Sequence, residues 1–337
     1  MKSLNNKILT LTLLAMVIML ATSCQQKLYI TTSGSVFGTV YNITYEYDRE
    51  LKAELEKALD EVDFSLSPFN EESIITKVNN NEKVELNKQF LTVYETAMKV
   101  SADTEGAFDI TVAPLVNAWG FGFKEGKMPT DEQVDSLKEL VGYQKIKLEN
   151  GVITKENPNM MLDCSAIAKG FGVDVVADKL RELGVENFLV EIGGEIVSQG
   201  VNSKGMPWRV GVVKPVDDPL STAKENKAVL NVQNIAMATS GNYRNFYIAE
   251  DGKRYAHTID PRSGRPIQHN ILSATVLGPT CTIADAYATS FMVVGLDKAK
   301  EILNRHTELM AYFIYNNEEG KNAVWYSPKL KELINEH

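Results

Sequence analysis

The sequence predicts an α+β fold, and three observations carry that reading. Helical periodicity dominates the first part of the chain, short β-rich segments take over after residue 145, and their alternation is too irregular for a parallel sheet of strand–helix–strand units. With 44% hydrophobic and 23% charged residues among 337, the composition is that of a globular protein with ample apolar mass for a core.

In chain order, residues 36–47 (VFGTVYNITYEY) are rich in β-branched and aromatic side chains and read as a strand. Residues 50–62 carry apolar side chains at 51, 55, 58, 59 and 62, a helical stripe. Further helices are expected at 73–78, at 90–102 with a stop near Gly106, and at 131–141. Strands follow at 145–148, 152–155 and 160–162, then a helix over 166–183 that ends at Gly184. Strands fit 188–192, broken by Gly193-Gly194, and 208–213, 229–232, 235–239, 254–258 and 272–277. Helices fit 283–294 and 296–304, and a strand fits 310–315. There is no internal repeat and no linker that would divide the body into separate domains.

The N-terminus reads as a targeting segment. Lys2 and Lys7 precede an uncharged run, residues 8–20, which is too short for a membrane-spanning helix of about 20 residues. A basic start, a short apolar core and the small residues Ala21-Thr22-Ser23 describe a secretory signal. With Cys24 following, the stretch resembles a bacterial lipobox, although Leu20 sits one place further from the cysteine than is typical. Residues 1–23 are therefore expected to be a signal peptide, 24–35 a polar tether lipid-anchored through Cys24, and 36–337 the folded domain, held outside the cytoplasmic membrane by acyl chains. Cys164 and Cys281 lie among apolar or small neighbours and are expected to be buried thiols; a disulfide between them stays open.

Charge narrows the functions. The formal net charge is −9, and removing residues 1–23 with their two lysines takes it to −11. Nucleic acid is gripped largely through cations on phosphate, so that partner is excluded, and any phosphorylated ligand needs local cations or a metal. The histidines at 257, 269, 306 and 337 form no HExxH, and neither a GxxxxGK[ST] loop nor a GxSxG elbow is present. Gly170-Phe171-Gly172 begins like GxGxxG, but position 175 is Val175 and the run falls inside a predicted helix.

Four polar clusters remain. In Gly106-Ala107-Phe108-Asp109-Ile110-Thr111, the Asp and Thr either cap a helix ahead of Pro114 or clamp a flat polar ring. In 162–170 (LDCSAIAKG), Asp163 or Ser165 caps a helix, or the helix start and Lys169 suit a phosphate. Residues 239–244 and 257–266 bring together Arg244, Arg262, Arg265 and His257, the last near a strand end where a ring can face a cleft. Asp285 and Thr289 stand at i and i+4 on one helical face, where a carboxylate and a hydroxyl either pair or offer hard oxygen ligands suited to magnesium.

Taken together, the ordered pieces GTVYNITY, Ser67-Pro68-Phe69 with SIITKVN, GAFDITVAPLVNAWGFG, LDCSAIAKGFGVD, VEIGGE, ATSGNYRNFY, HTIDPRSGRP and ADAYATSFMV resemble the ApbE family of periplasmic FAD:protein FMN transferases. The resemblance implies an α+β fold of two intimately packed lobes with a flavin cleft between them. It implies Mg²⁺ held at Ala166 through its carbonyl and at Asp285 and Thr289, with Ala288 adjacent. FAD contacts are implied at Phe37, Phe69, Ala107, Phe108, Asp109, Asp163, Lys169 and Ile259, and proton transfer at His257. Phe37 stands where the family often has Met, and Phe69 where it often has Tyr. The implied acceptors are a Thr or Ser of redox membrane complexes, such as subunits of the sodium-pumping quinone reductase and Rnf-type relatives. An FAD pyrophosphatase, or a flavin-binding lipoprotein without catalysis, are the competing readings.

Overall fold

A single eight-stranded sheet organises the protein, and its strands lie side by side in sequence order. They are β1 (Leu28–Val36), β2 (Thr39–Tyr47), β3 (Phe188–Ile192), β4 (Glu195–Gln199), β5 (Ile235–Gly241), β6 (Ile271–Gly278), β7 (Met310–Asn316) and β8 (Asn322–Tyr326). Every neighbouring pair is antiparallel, in keeping with the irregular alternation of the sequence. This computed structural model describes residues 28–121, 128–213, 226–242, 246–248, 254–268 and 270–335. The signal segment, Cys24, Arg244 and His269 lie outside them.

The sheet packs against a core on each face, with the outer side of its β1–β2 edge left exposed. Tyr41, Ile43, Val190, Val197, Ala238, Val276 and Phe313 face the main core. Alternate residues, Ile196, Met237, Leu277, Tyr312 and Ile314, face a smaller core against a sheet of Trp208–Val213, Asn226–Val232 and Ile334–Asn335. The helices fill the insertions of this meander. Between β2 and β3 run α1 (Lys52–Leu66), α2 (Ile74–Asn79), α3 (Lys88–Asp103), α4 (Ala113–Ala118), α5 (Asp131–Lys138) and α6 (Ala168–Glu182). Between β6 and β7 lie α7 (Cys281–Val294) and α8 (Leu296–Arg305). A third apolar cluster, Leu115, Trp119, Val134, Val141 and Ile259, ties α4 and α5 to the 259–266 loop, where the Trp119 Nε1–H donates to the Gly264 carbonyl at 2.8 Å.

Two differences from the sequence reading have clear causes. Residues 28–35, expected within the tether, are strand β1, paired with β2 from Leu28↔Tyr47 to Val36↔Thr39. As an edge strand it is partly exposed, so its Thr and Ser residues carry no hydrophobic signal. The segment 160–162 forms no strand, only a bridge of Met161 to Val112.

Behind α7, Asp103, His306, Glu308, Tyr287 and Arg305 form a compact polar group. His306 Nε2 meets Asp103 Oδ2 at 3.0 Å and Nδ1 meets Glu308 Oε1 at 2.9 Å, while the Tyr287 hydroxyl donates to Asp103 at 2.9 Å; Arg305 reaches Asp103 at 3.2 Å. Burial disfavours the charged ring, but the bonds to Glu308 and Asp103 outweigh it and raise the imidazole pKa above its ordinary value. A pKa raised on folding adds stability that is present in full below the unfolded pKa and lost as pH rises through the folded one. His306→Ala is therefore expected to lower the melting temperature by several degrees near pH 5.5 and by less near pH 9; an equal loss at both would contradict the charged pairing.

Candidate functional site

A cavity of about 390 Å³ opens where the helical insertion meets the ends of β4 and β5. Of the residues singled out by sequence, Phe69, Ala107, Phe108, Asp109, Asp163, Ala166, Lys169, His257, Ile259, Asp285 and Thr289 all line it.

Two loops make the apolar and acidic wall. Gly106 follows α3 in the left-handed region, at φ 77°, and turns the chain into Ala107-Phe108-Asp109. Asp109 accepts from the Thr111 N–H and hydroxyl at 2.8 and 2.6 Å and from the Tyr143 N–H at 2.7 Å. It thus builds its own loop and caps no helix: α4 starts at Val112 without a side-chain cap. Burial raises the Asp109 pKa despite these bonds. The second loop is held by Asn79, which receives the Leu162 N–H at 2.7 Å and donates to the Leu162 carbonyl at 2.9 Å. Asp163 then accepts the Ser165 N–H at 2.7 Å, and its own N–H donates to the Ile110 carbonyl at 2.7 Å, joining the two loops.

Helices α6 and α7 grip each other reciprocally. Asp174 of α6 accepts the Cys281 and Thr282 N–H groups, both at 2.8 Å, and the Thr282 hydroxyl at 2.5 Å, capping the free start of α7. In return Asp285 of α7 accepts the Gly170 N–H in the first turn of α6 at 3.0 Å. The contact leaves no room for a side chain at Gly170, where a Cβ would lie 2.4 Å from the Cys281 carbonyl oxygen. The first intrahelical bond of α6 runs from the Phe171 N–H to the Ile167 carbonyl, so the Gly170 N–H is one of the helix's free starting donors, and Asp285 takes it.

The polar floor follows from this grip. Asp285 is 2% exposed, and burial raises its carboxyl pKa against the pull of Lys169 and the Gly170 N–H. Thr289, one turn further, bonds Ser240 of β5 hydroxyl to hydroxyl at 2.9 Å. The Lys169 ammonium meets Glu195 Oε1 at 2.5 Å. Burial opposes the lysine's charge, but Asp285 and Glu195 outweigh it and hold the pKa above the usual range. Above the floor, the His257 ring stands edge-on to Phe121, with centroids 6.5 Å apart.

The fit to a hard cation can be tested on these atoms. No group of three His, Cys, Asp or Glu side chains among the described residues would hold a metal. Asp285, Thr289 and Ala166 nonetheless line one cavity, and a carboxylate, a hydroxyl and a backbone carbonyl are oxygen donors of the kind that magnesium accepts. The residues fit the ion.

Several expectations need correction. Phe37, expected to touch flavin, is not part of the cavity wall. It occupies a two-residue turn between β1 and β2 at φ 49° and lies against Gly172, where a Cβ would come within 2.5 Å of its ring. Ala288, one turn from Asp285, is fully buried in the main core and is not part of the cavity wall. Of the arginines near His257 in sequence, Arg262 forks onto Asp260 at 2.9 and 3.0 Å and Arg265 pairs with Asp131 at 2.7 Å. Asp163 and Ser165 do not cap α6, which begins at Ile167 with no side-chain cap. Cys164 and Cys281 are, as expected, buried thiols, and they are not joined in a disulfide. Glu195, Ser240, Thr239 and Phe121 also line the wall. Thr239 and Ser240 lie in the polar cluster 239–244, and Glu195 and Phe121 in the pieces VEIGGE and GAFDITVAPLVNAWGFG, but none was given a role from sequence.

One lysine ammonium, oxygen donors for a hard cation and the rings of Phe69, Phe108 and Phe121 around a single cavity define a protein that holds a phosphorylated ligand with a flat apolar part. The family model described as the ApbE family matches residues 37–313, and the chain belongs to that family. It is 39% identical to the FAD:protein FMN transferase of Haemophilus influenzae, over 91% of this chain and 92% of the relative. Among solved structures, the flavin transferase ApbE from Vibrio cholerae superimposes with a TM-score of 0.82 at 36% identity, covering 91% of this chain and 99% of the other. The apo flavinyl transferase ApbE of Pseudomonas stutzeri gives 0.79 at 29% identity, covering 93% and 98%.

The packing at Gly170 yields a direct test. Gly170→Ala must push α6 off α7, so it is expected to cost about 1–3 kcal/mol, the usual range for overpacking, read by denaturant unfolding. An unchanged midpoint would contradict the close approach.

Proposed function

We propose that this protein is an FAD:protein FMN transferase that moves the FMN half of FAD to a Thr or Ser hydroxyl of an acceptor protein. The hydroxyl oxygen forms a phosphoester bond to the FMN phosphorus, the phosphoanhydride breaks, and AMP leaves with the bridging oxygen. The observation that carries the reading is the meeting of Lys169, Asp285, Thr289, the Ala166 carbonyl and His257 in one cavity.

Such a transfer is catalysed by positioning and charge more than by covalent help. Phe69, Phe108 and Ile259 supply apolar surface for the ring system, while Asp109 and Asp163, fixed by backbone N–H bonds, present carboxyl oxygens to its polar edge. Lys169 attracts the diphosphate in a chain whose net charge of −9 would otherwise repel it. Asp285, Thr289 and the Ala166 carbonyl would hold magnesium, which when bound neutralises charge on diphosphate oxygens. His257 accepts the proton of the acceptor hydroxyl, a task for which imidazole is the commonest side chain.

The acceptors we infer are extended segments of redox membrane complexes, with the enzyme anchored through Cys24 to the periplasmic face of the inner membrane. No helix among the described residues is long and apolar enough to cross a membrane, so attachment on this reading rests on the lipid. Cys24→Ala is expected to move the protein from the membrane to the soluble periplasmic fraction; a variant that stays in the membrane would refute the anchor.

Incubating the mature protein with FAD, Mg²⁺ and an acceptor domain should give a fluorescent flavin band on a denaturing gel and one AMP per flavin. Free FMN and AMP without a band would instead make it a pyrophosphatase, and no product would make it a binder. His257→Ala is expected to slow transfer by about 10²–10⁴-fold with FAD affinity nearly unchanged. Equal transfer rates would remove His257 from the chemistry. Asp285→Asn should abolish the Mg²⁺-dependent part of turnover, and full retention would refute the ligand role.

A further inference from the structure

Glu195 is the cavity carboxylate that the proposed chemistry does not use. Gly193 and Gly194, at φ 62° and 106°, make a two-residue turn between β3 and β4 and deliver Glu195 as the first residue of β4, opposite Ile192. The residue is 1% exposed. Its Oε1 holds the Lys169 ammonium at 2.5 Å, while its Oε2 is buried without a hydrogen-bond partner. A buried carboxylate with one oxygen lacking a hydrogen-bond partner is costly to folding, so packing does not explain it.

Lys169 has two anions within its electrostatic reach, Glu195 and Asp285. Its ion pair is with Glu195; no pair to Asp285 forms within 4.0 Å. Asp285 is left with the single hydrogen bond from Gly170, its other oxygen open to a cation. A lysine stem is flexible and its ammonium is a mobile point charge. Without Glu195 the nearest carboxylate to neutralise it would be Asp285, the residue that the cation needs.

We propose that Glu195 is a positioning residue that keeps Lys169 off Asp285, so that ammonium and cation-binding carboxylate stay separate and both serve the diphosphate. This rests on the functional reading above, because it concerns the same cation and substrate. Glu195 does not itself touch the reacting atoms; it acts through Lys169.

The test is divalent-cation affinity, read without turnover by Mn²⁺ electron paramagnetic resonance on the mature protein, with thermal melting as the check on folding. Glu195→Gln is expected to weaken Mn²⁺ binding about tenfold, the scale for an outer-sphere partner of a metal ligand. Adding Lys169→Met to that variant removes the competing ammonium and is expected to restore affinity to near the wild-type value, while transfer stays impaired because Lys169 is gone. A purely structural role for Glu195 would not be rescued by a second cavity substitution. Unchanged Mn²⁺ affinity in Glu195→Gln, or no recovery in the double variant, overturns the proposal. Wild-type protein that binds no Mn²⁺ overturns the cation site itself, and the proposal with it. Should Glu195→Gln fail to fold, Glu195→Asp, which keeps the charge but shortens its reach, carries the same comparison with and without Lys169→Met.

Discussion

The reciprocal grip of α6 and α7 is the constraint on which the site depends. Each helix supplies a carboxylate to the start of the other, Asp174 to Cys281 and Thr282, Asp285 to Gly170. Helix starts carry free N–H groups and positive dipole ends, so both acids are placed where their charge is favoured. The grip also has a chemical consequence. By taking the Gly170 N–H, Asp285 is fixed against the first turn of α6, and that bond sets one of the three oxygens proposed to face a cation. Glycine at 170 is the steric condition for this, since a Cβ there would meet the Cys281 carbonyl at 2.4 Å.

The sheet provides the other half of the cavity. Because its strands run as a meander, the β3–β4 turn and the end of β5 bring Glu195, Thr239 and Ser240 to the same edge. Ser240 then bonds Thr289 across the gap, joining sheet to helix at the hydroxyl of interest. The two loops bearing Asp109 and Asp163 are locked to each other and to Asn79 by backbone bonds. The walls are thus held largely by hydrogen bonds to main chain, which suits a site that must present fixed charges to a diphosphate.

Much of this was legible in the sequence, and the gaps have physical reasons. The stripe at 51, 55, 58, 59 and 62 gave helix α1 because one of its faces is buried and the other wet. Strand β4 escaped because Ile196 and Val197 feed different cores, so a strand buried on both faces shows no alternation. Helix α4 is six residues long and lacks a side-chain cap, which leaves no signal beyond Pro114. In the site, eleven of the thirteen residues named from sequence line the cavity. Phe37 and Ala288 do not: the left-handed turn at Phe37 lays its ring against Gly172, and Ala288 is fully buried in the main core. Neither a turn conformation nor the depth at which a helical residue is buried is written in a motif. The acid partners of the arginines were not legible for a related reason, since the nearness of Arg262 and Arg265 to His257 in sequence says nothing about Asp260 and Asp131, which hold them.

Anomalous diffraction from crystals grown with FAD and Mn²⁺ tests the central claim most directly. The account requires one manganese peak within ligand distance of the Asp285 carboxylate, the Thr289 hydroxyl and the Ala166 carbonyl, with the FAD diphosphate against it and the Lys169 ammonium still on Glu195. A diphosphate seated with no metal at those three oxygens, or a metal bound elsewhere in the cavity, would contradict it.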